Sequence, residues 1–139
     1  MNLLSCLLPD PVSVRLAFAA KRGGIALVTD AMPSVGSSLQ RFELLGRPIT
    51  LLHGRLTTTG GTLAGAHLDM ASAVRNVVKL AGLPLEDALR AASLVPARFL
   101  GMDHERGVFV PGARADMVAL NDGLKVVATW IDGQREDVQ

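Results

Sequence analysis

Apolar residues follow two different spacings in the first thirty positions of the chain. Asp10-Pro11 provides a helix N-cap residue followed by proline, and the apolar residues after it recur at roughly helical spacing as far as Ala20. The glycine pair at 23–24 ends this predicted helix. Ile25–Thr29 is then an uninterrupted apolar run closed by Asp30, which indicates a strand buried on both faces, as in a parallel sheet.

Helical spacing returns after Arg41–Leu56, a segment that predicts a β-hairpin or two short strands with a break at Gly46–Pro48. Residues Asp69–Ala81 place apolar side chains on one face and therefore predict an amphipathic helix. A second helix is expected from Pro84 to Ala92, since acids in its first turn suit the helix dipole. A third, short helix is expected from about Pro96 to Leu100.

The spacing of apolar residues changes from helical to alternating near the end of the chain. Three strands are predicted, at Gly107–Val110, Ala115–Leu120 and Lys125–Ile131. Pro111-Gly112 fits the two central positions of a type II turn. The organisation is therefore α/β up to about residue 104, followed by a small β segment.

Composition places the chain among globular proteins, since 49% of its 139 residues are hydrophobic and 19% are charged. The net charge is +1 without a block of like charge, so we expect no nucleic-acid partner and no membrane partner. The one cysteine, Cys6, cannot form an internal disulfide, which favours a reducing cytoplasm as the setting. Its side chain is expected to be a small buried hydrophobe.

The apolar start of the chain, Leu3–Leu8, differs from a signal peptide because no Lys or Arg precedes it and Pro9-Asp10-Pro11 stops it. It is also too short to span a bilayer. An alternative interpretation is a strand that pairs with the buried strand at Ile25–Thr29.

Asp30 is the strongest candidate for chemistry, because it stands where a buried parallel strand ends and a loop begins. Catalytic residues of α/β barrels lie at that end of the strands. A carboxylate there could take a proton from a metal-bound water and pass it to a leaving amine. The alternative is a turn or N-cap aspartate, which is common at strand ends.

The other polar candidates give weaker signals. The histidines His53, His67 and His104 lie far apart and lack metal-ligand spacing, so exposed or capping roles are expected for them. The glycine-rich run 60–65 precedes a helix and could bind an anion or a sugar through its backbone amides, or it could be a simple turn.

Several motifs together resemble one known family. The chain contains Leu27-Val28-Thr29-Asp30-Ala31-Met32, then Gly61-Thr62-Leu63-Ala64-Gly65 continued to Asn76, the helical run 88–98, and Gly107-x-x-x-Pro111-Gly112-x-x-Ala115-Asp116-x-Val118. The last signature is similar to one shared widely by metal-dependent amidohydrolases. The first two together resemble N-acetylglucosamine-6-phosphate deacetylases, and the resemblance extends from about residue 10 to residue 134.

This resemblance implies an α/β fold: the C-terminal part of a (β/α)8 TIM-type barrel at residues 1–104, and the C-terminal strands of a small β-sandwich domain at 105–139. The implied reaction hydrolyses N-acetylglucosamine 6-phosphate, a small amino-sugar phosphate, to glucosamine 6-phosphate and acetate. A divalent metal, zinc or iron, is implied as cofactor. Asp30 matches the catalytic base and acid, whereas Leu63, Ala64 and Gly65 match the loop that contacts the substrate.

The chain also departs from this family. The glutamate and two histidines that bind the metal have no counterpart, and Leu8 stands where a substrate-contacting histidine is expected, so residues 1–9 look unrelated. We therefore expect the isolated chain to bind no metal and to be an inactive fragment, forming a homo-oligomer or joining a complementing N-terminal portion. The alternatives are a non-catalytic assembly or interaction module and an amidohydrolase for another N-acyl substrate.

Overall fold

A computed structural model describes residues 10–136 and the backbone of residues 2–5. Strand β1 (Asn2–Ser5) is followed by helix α1 (Pro11–Ala20) and strand β2 (Ile25–Val28). The predicted helix start is confirmed, because the Asp10 carboxylate accepts a hydrogen bond from the backbone N–H of Ser13 at 3.0 Å. The expectations for Cys6 and Leu8 concern positions outside the described residues.

The parallel arrangement predicted from the apolar run is also confirmed. Strand β1 pairs with β2 in parallel, with Asn2 opposite Ile25 and Ser5 opposite Val28. Residues 25–27 are buried, as expected for a strand that is covered on both faces. The start of the chain therefore contributes a strand, as the alternative interpretation held, and its described part is Asn2–Ser5. The rest of Leu3–Leu8 lies outside the described residues.

Three helices cover β2: α2 (Met70–Lys79), α3 (Leu85–Ala92) and α4 (Leu94–Phe99). Helices α1, α2 and α3 and strand β2 enclose a core of small and medium apolar side chains, in which alanines allow close approach of the helices. Helix α4 begins two residues earlier than predicted, because Pro96 fits within a first helical turn and its missing N–H removes no helical hydrogen bond there. The buried members of this core are Val14, Leu27, Ala66, Leu68, Ala73, Val74, Val77, Ala81, Ala88 and Ala91.

Residues 41–58 form a three-stranded antiparallel sheet, where a hairpin or two strands were predicted. Its strands are β3 (Arg41–Leu44), β4 (Arg47–Leu52) and β5 (Arg55–Thr58), in that spatial order. Two-residue turns join them at Leu45-Gly46 and His53-Gly54, where all four residues have positive φ, as type I′ turns require. The break is therefore at 45–46 rather than at 46–48.

Pro48 lies inside β4, which corrects the prediction that it belongs to the break. It is paired with Glu43 of β3, whereas the pairing of β4 with β5 begins only at Ile49. The missing N–H of Pro48 is therefore not needed by a ladder to β5.

A second antiparallel sheet consists of β6 (Met117–Leu120), β7 (Val126–Ile131) and β8 (Gln134–Glu136). Strand β8 was not predicted, although the Asp132-Gly133 turn before it, with φ values of 50° and 78°, is a recognised hairpin signal.

The pKa of Asp116 lies below its usual value because its carboxylate accepts a hydrogen bond from the N–H of Asp132. Burial acts to raise this pKa, whereas the cations of Arg106 and Arg114 lower it further.

The predicted strand at Gly107–Val110 is wrong. This segment has no strand partner among the described residues, and Phe109 is 86% exposed. A Cβ at Gly107 would lie 2.9 Å from Cα of Leu94, so the backbone here packs directly on the start of α4. The type II turn is confirmed, since Gly112 has φ of 90° and Ala113 donates a hydrogen bond to the carbonyl of Val110 at 3.1 Å.

None of the helices in residues 10–136 has both the length and the apolar character needed to traverse a bilayer.

Candidate functional site

Asp30 lies two residues beyond the end of β2, at the carboxyl end of this parallel strand. Its backbone has φ of 53°, a left-handed conformation that aspartate tolerates better than most residues do. The side chain is exposed, and no hydrogen bond or ion pair from residues 10–136 engages its carboxylate. The carboxylate is therefore not used as an N-cap or as part of a salt bridge with these residues.

The backbone of Asp30 is connected to the glycine-rich run. Its carbonyl accepts a hydrogen bond from the N–H of Ala66 at 3.1 Å, and the carbonyl of Ala66 accepts one from Met32 at 3.0 Å. These two bonds form an isolated parallel bridge between Ala31 and Ala66. The structure therefore brings Asp30 and Leu63–Gly65 together, although more than thirty residues separate them in sequence.

The other side of the glycine-rich run is attached to the middle sheet. Leu63 forms an antiparallel bridge with Thr57, and the N–H of Ala64 donates to the carbonyl of Leu56 at 3.0 Å. Leu63 is 44% exposed, whereas Ala64 is half-buried. The loop is thus held on both sides by backbone hydrogen bonds and keeps an exposed surface beside Asp30.

Two features of this position favour glycine at residue 65. Its φ of 79° lies in the left-handed region that favours glycine. A Cβ there would also overlap Cγ and Sδ of Met32, so the Met32 side chain would have to move. The close contact of Gly65 with Met32 keeps the loop against the segment that follows Asp30.

A side-chain pair reinforces this contact. Ser34 is completely buried, and its Oγ lies 3.0 Å from Nδ1 of His67. His67 is therefore half-buried and hydrogen-bonded, which corrects the expected exposed or capping role; the cap of α2 is Asp69, whose carboxylate accepts from the N–H of Ser72 at 2.8 Å. Sequence analysis missed this pair because no local spacing relates residues 34 and 67.

The described residues do not form a metal site by themselves. Nowhere in residues 10–136 do three or more His, Cys, Asp or Glu side chains cluster closely enough to hold an ion. His53 lies in the exposed turn between β4 and β5, and His104 is also exposed. The donor set around Asp30 thus does not fit a divalent cation without further ligands.

Comparison with known proteins identifies the family. The model of the amidohydrolase family matches residues 18–135, which is most of the chain. This chain belongs to the amidohydrolase family. The matched range includes Asp30, the glycine-rich run and strands β6 and β7.

Individual relatives of this amidohydrolase chain have more specific names. A protein of Escherichia coli (strain K12), provisionally named N-acetylgalactosamine-6-phosphate deacetylase, is 41% identical over 89% of this chain and 74% of its own length. The N-acetylglucosamine-6-phosphate deacetylase of Bos taurus is 39% identical over 90% of this chain.

A solved structure has the same backbone arrangement. The N-acetylglucosamine-6-phosphate deacetylase of Pasteurella multocida superimposes on 98% of this amidohydrolase chain with a TM-score of 0.91, at 29% sequence identity. The chain spans 36% of that protein and 31% of the bovine one, about a third of the length of each.

Proposed function

We propose that this chain supplies the catalytic aspartate and the substrate loop of a deacetylase that acts on an N-acetylhexosamine 6-phosphate. The observation that carries the proposal is the backbone bridge that places Asp30 beside Leu63–Gly65. The names of the relatives and the close superposition on a deacetylase structure support it. In this proposal residues 1–104 belong to a (β/α)8 barrel and residues 105–139 to its small β-sandwich domain.

Asp30 has the properties that proton transfer requires. Its carboxylate is exposed and is not engaged by residues 10–136, so its oxygens can accept a proton from the attacking water and return it to the leaving amine nitrogen. The C–N bond of the acetamide breaks and acetate leaves. The hydrogen bond from Ala66 to the Asp30 carbonyl fixes the backbone from which the carboxylate projects.

Leu63, Ala64 and Gly65 would contact the sugar. Their backbone is anchored to Leu56 on one side and, through Ala66, to Asp30 on the other. A substrate lying on this loop is therefore at a defined distance from the Asp30 backbone, which is the positioning that catalysis needs.

The identity of the sugar remains part of the proposal. The two relatives from Escherichia coli, each 41% identical to this chain, are named for N-acetylgalactosamine 6-phosphate, and the bovine relative, 39% identical, is named for N-acetylglucosamine 6-phosphate. We propose N-acetylglucosamine 6-phosphate as the first substrate to test and its galactose epimer as the second. A cytoplasmic setting is proposed from the single cysteine.

The resemblance to N-acetylglucosamine-6-phosphate deacetylases implies zinc or iron as the cofactor. The described residues, however, do not supply a metal site. In the proposed enzyme a divalent ion would activate the water. Its ligands would have to come from polypeptide other than residues 10–136, so we expect no acetate release by this chain alone, even with added zinc or iron.

A segment exchange tests the proposal. Residues 10–134 of this chain replace the matching segment of the Escherichia coli O157:H7 N-acetylgalactosamine-6-phosphate deacetylase, which is 41% identical over 124 residues. The chimera should release acetate from one or both sugar phosphates. Asp30→Asn in the chimera should lower kcat by about 10²–10⁴-fold, because it removes the proton-transfer group and preserves its shape.

The matched control is Asp122→Asn, which alters an exposed aspartate in the turn between β6 and β7 and should leave kcat unchanged. A folded chimera in which Asp30→Asn and Asp122→Asn have equal activity would rule out Asp30 as the proton-transfer residue. Acetate release by the unmodified chain alone would instead contradict the proposal that the metal ligands come from other polypeptide.

A further inference from the structure

A concave region lies near the start of β2, at the end of this strand opposite to Asp30. It is a pocket of about 410 Å³ between α1, α3, α4 and the turn before β2. This volume is within the range of small-molecule sites. We call it the arginine pocket, and its defining residues are Arg15, Phe18, Arg22, Ile25, Asp87 and Arg90.

The arginine pocket is distinct from the proposed deacetylase site. Ile25 is the first residue of β2 and lines the pocket, whereas Asp30 follows the last residue of that strand. Strand β2 (Ile25–Val28) lies between the two positions, and its first and last Cα atoms are roughly 10 Å apart at 3.3 Å per residue. A ligand of the pocket therefore would not touch Asp30 or the loop at 63–65.

The floor of the pocket is apolar. Ile25, Ala91 and Val95 are exposed by 3%, 2% and 7%, and Leu83 and the half-buried ring of Phe18 complete the floor. An apolar or aromatic group placed there would lose contact with water against a packed surface, which is favourable. The floor thus suits the apolar part of a ligand.

The rim is cationic, and its arginines are engaged to different extents. Arg90 donates twice to Glu86, at 3.1 and 2.7 Å, so a carboxylate already balances its charge. Arg15 makes one long hydrogen bond, 3.4 Å, to the carbonyl of Ala81. Arg22 forms no hydrogen bond or ion pair within residues 10–136, so all its guanidinium donors remain available to a ligand.

One carboxylate also lines the pocket. Asp87 is the acidic residue of the lining, and it too has no ion-pair partner among the described residues. A ligand with one negative charge can pair with Arg22 and keep its distance from Asp87. Inorganic phosphate has no apolar group to bury on the floor, so it should gain less on binding than a carboxylate that carries an apolar group.

We infer that the arginine pocket binds a small monocarboxylate that carries an apolar or aromatic group, with Arg22 as its main charged contact. The planar guanidinium of Arg22 matches a carboxylate in two parallel hydrogen bonds. Arg15 supplies a second cation, and the floor around Phe18 holds the apolar group. This inference does not depend on the deacetylase proposal, since it uses other residues and another end of β2.

The test is an NMR titration of the full chain with 3-phenylpropionate, compared with 3-phenylpropanol and with inorganic phosphate. The carboxylate should shift the amide signals of residues around Arg22 and Ala91, and should bind at least several-fold more tightly than the alcohol or phosphate. Added salt should weaken its binding, because the rim of the pocket is open to solvent.

Variants of opposite sign make the test specific. Arg22→Gln should weaken binding of the carboxylate about tenfold, since a charge-assisted hydrogen bond is lost. Asp87→Asn should strengthen it about threefold, since a like charge is removed. The matched control, Arg41→Gln on the exposed strand β3, should bind as the unmodified chain does.

Thermal unfolding establishes that each variant is folded before it is titrated. Equal binding of the alcohol and the carboxylate would overturn the charge recognition, and tighter binding of phosphate would overturn the monocarboxylate assignment. Unchanged affinity in folded Arg22→Gln would overturn the role of Arg22.

Discussion

The carbonyl oxygen of Asp30 and the amide of Ala66 form a 3.1 Å hydrogen bond that joins the end of a buried strand to the end of a glycine-rich loop. The reciprocal bond from Met32 to Ala66 makes the connection two-sided. A shift of the loop at 63–65 therefore also displaces the backbone of Asp30. The proton-transfer group and the proposed substrate contact form one structural unit.

Gly65→Ala should disturb this unit. The alanine would have to adopt a φ near 79° and its Cβ would overlap the side chain of Met32. We expect a loss of about 1–3 kcal/mol in the free energy of unfolding, measured by urea denaturation.

The matched control for this change is Gly60→Ala in the same loop. Gly60 does not need a positive φ, and a Cβ added there would have Thr58 Oγ1 as its nearest neighbour at 3.8 Å, an ordinary contact. Equal stability of the two variants would show that Gly65 is not conformationally required.

Ser34→Ala should be costly although the change is small. Ser34 is completely buried, and its loss leaves Nδ1 of the half-buried His67 without its partner. We expect the free energy of unfolding to fall by about 1–3 kcal/mol. Ser38→Ala, at an exposed position of the same loop, is the control and should change little. The NMR signals of the His67 ring nitrogens should shift in Ser34→Ala and stay unchanged in Ser38→Ala. Unshifted His67 signals in Ser34→Ala would argue against the pair.

Local features of the structure could be predicted from sequence. The Asp10-Pro11 helix start, the buried strand before Asp30 and the Pro111-Gly112 turn all depend on the residue types at those positions, and each is confirmed. The strand at Gly107–Val110 was wrong because alternation alone cannot supply a partner strand.

Features that depend on long-range contacts could not be predicted in this way. The Ser34–His67 pair and the Ala31–Ala66 bridge join positions more than thirty residues apart, and neither has a spacing that a single sequence displays. Asp30 and Leu63–Gly65 were named as site residues through resemblance to known deacetylases. Their proximity is a property of the fold, and their catalytic roles stay predictions until the chimera is assayed.

Asp69→Ala tests the N-cap of α2, the helix that follows the glycine-rich loop. The Asp69 carboxylate accepts hydrogen bonds from the N–H and the hydroxyl of Ser72, at 2.8 and 2.6 Å. Removing it should lower the free energy of unfolding by about 1 kcal/mol. Asp69→Asn can still cap the helix and should have a much smaller effect, so equal losses in the two variants would argue against capping.

The contribution of Asp69 should also depend on pH. Burial acts to raise the pKa of Asp69, but the hydrogen bonds from Ser72 and the charge of Arg75 outweigh it and hold this pKa below its ordinary value. A lowered folded-state pKa means that the stabilisation is fully present above the unfolded pKa of about 4 and is lost as pH falls through the folded value. The stability difference between the unmodified chain and Asp69→Ala should therefore shrink as the pH falls below about 4 and through the lowered folded-state pKa. A difference that is constant with pH would contradict this assignment.

Self-association of the isolated chain is expected from the edge of β2. Ile25–Val28 pairs with β1 along one edge and has no strand partner on the other among the described residues. Such an apolar strand edge favours pairing with another chain. Sedimentation velocity should show a sedimentation coefficient that rises with concentration. Leu45→Lys removes a leucine that is 94% exposed in a hairpin turn of the separate sheet β3-β4-β5, and it should not reduce the association. A monomer at all concentrations would contradict edge pairing, and association abolished by Leu45→Lys would assign it to the hairpin surface.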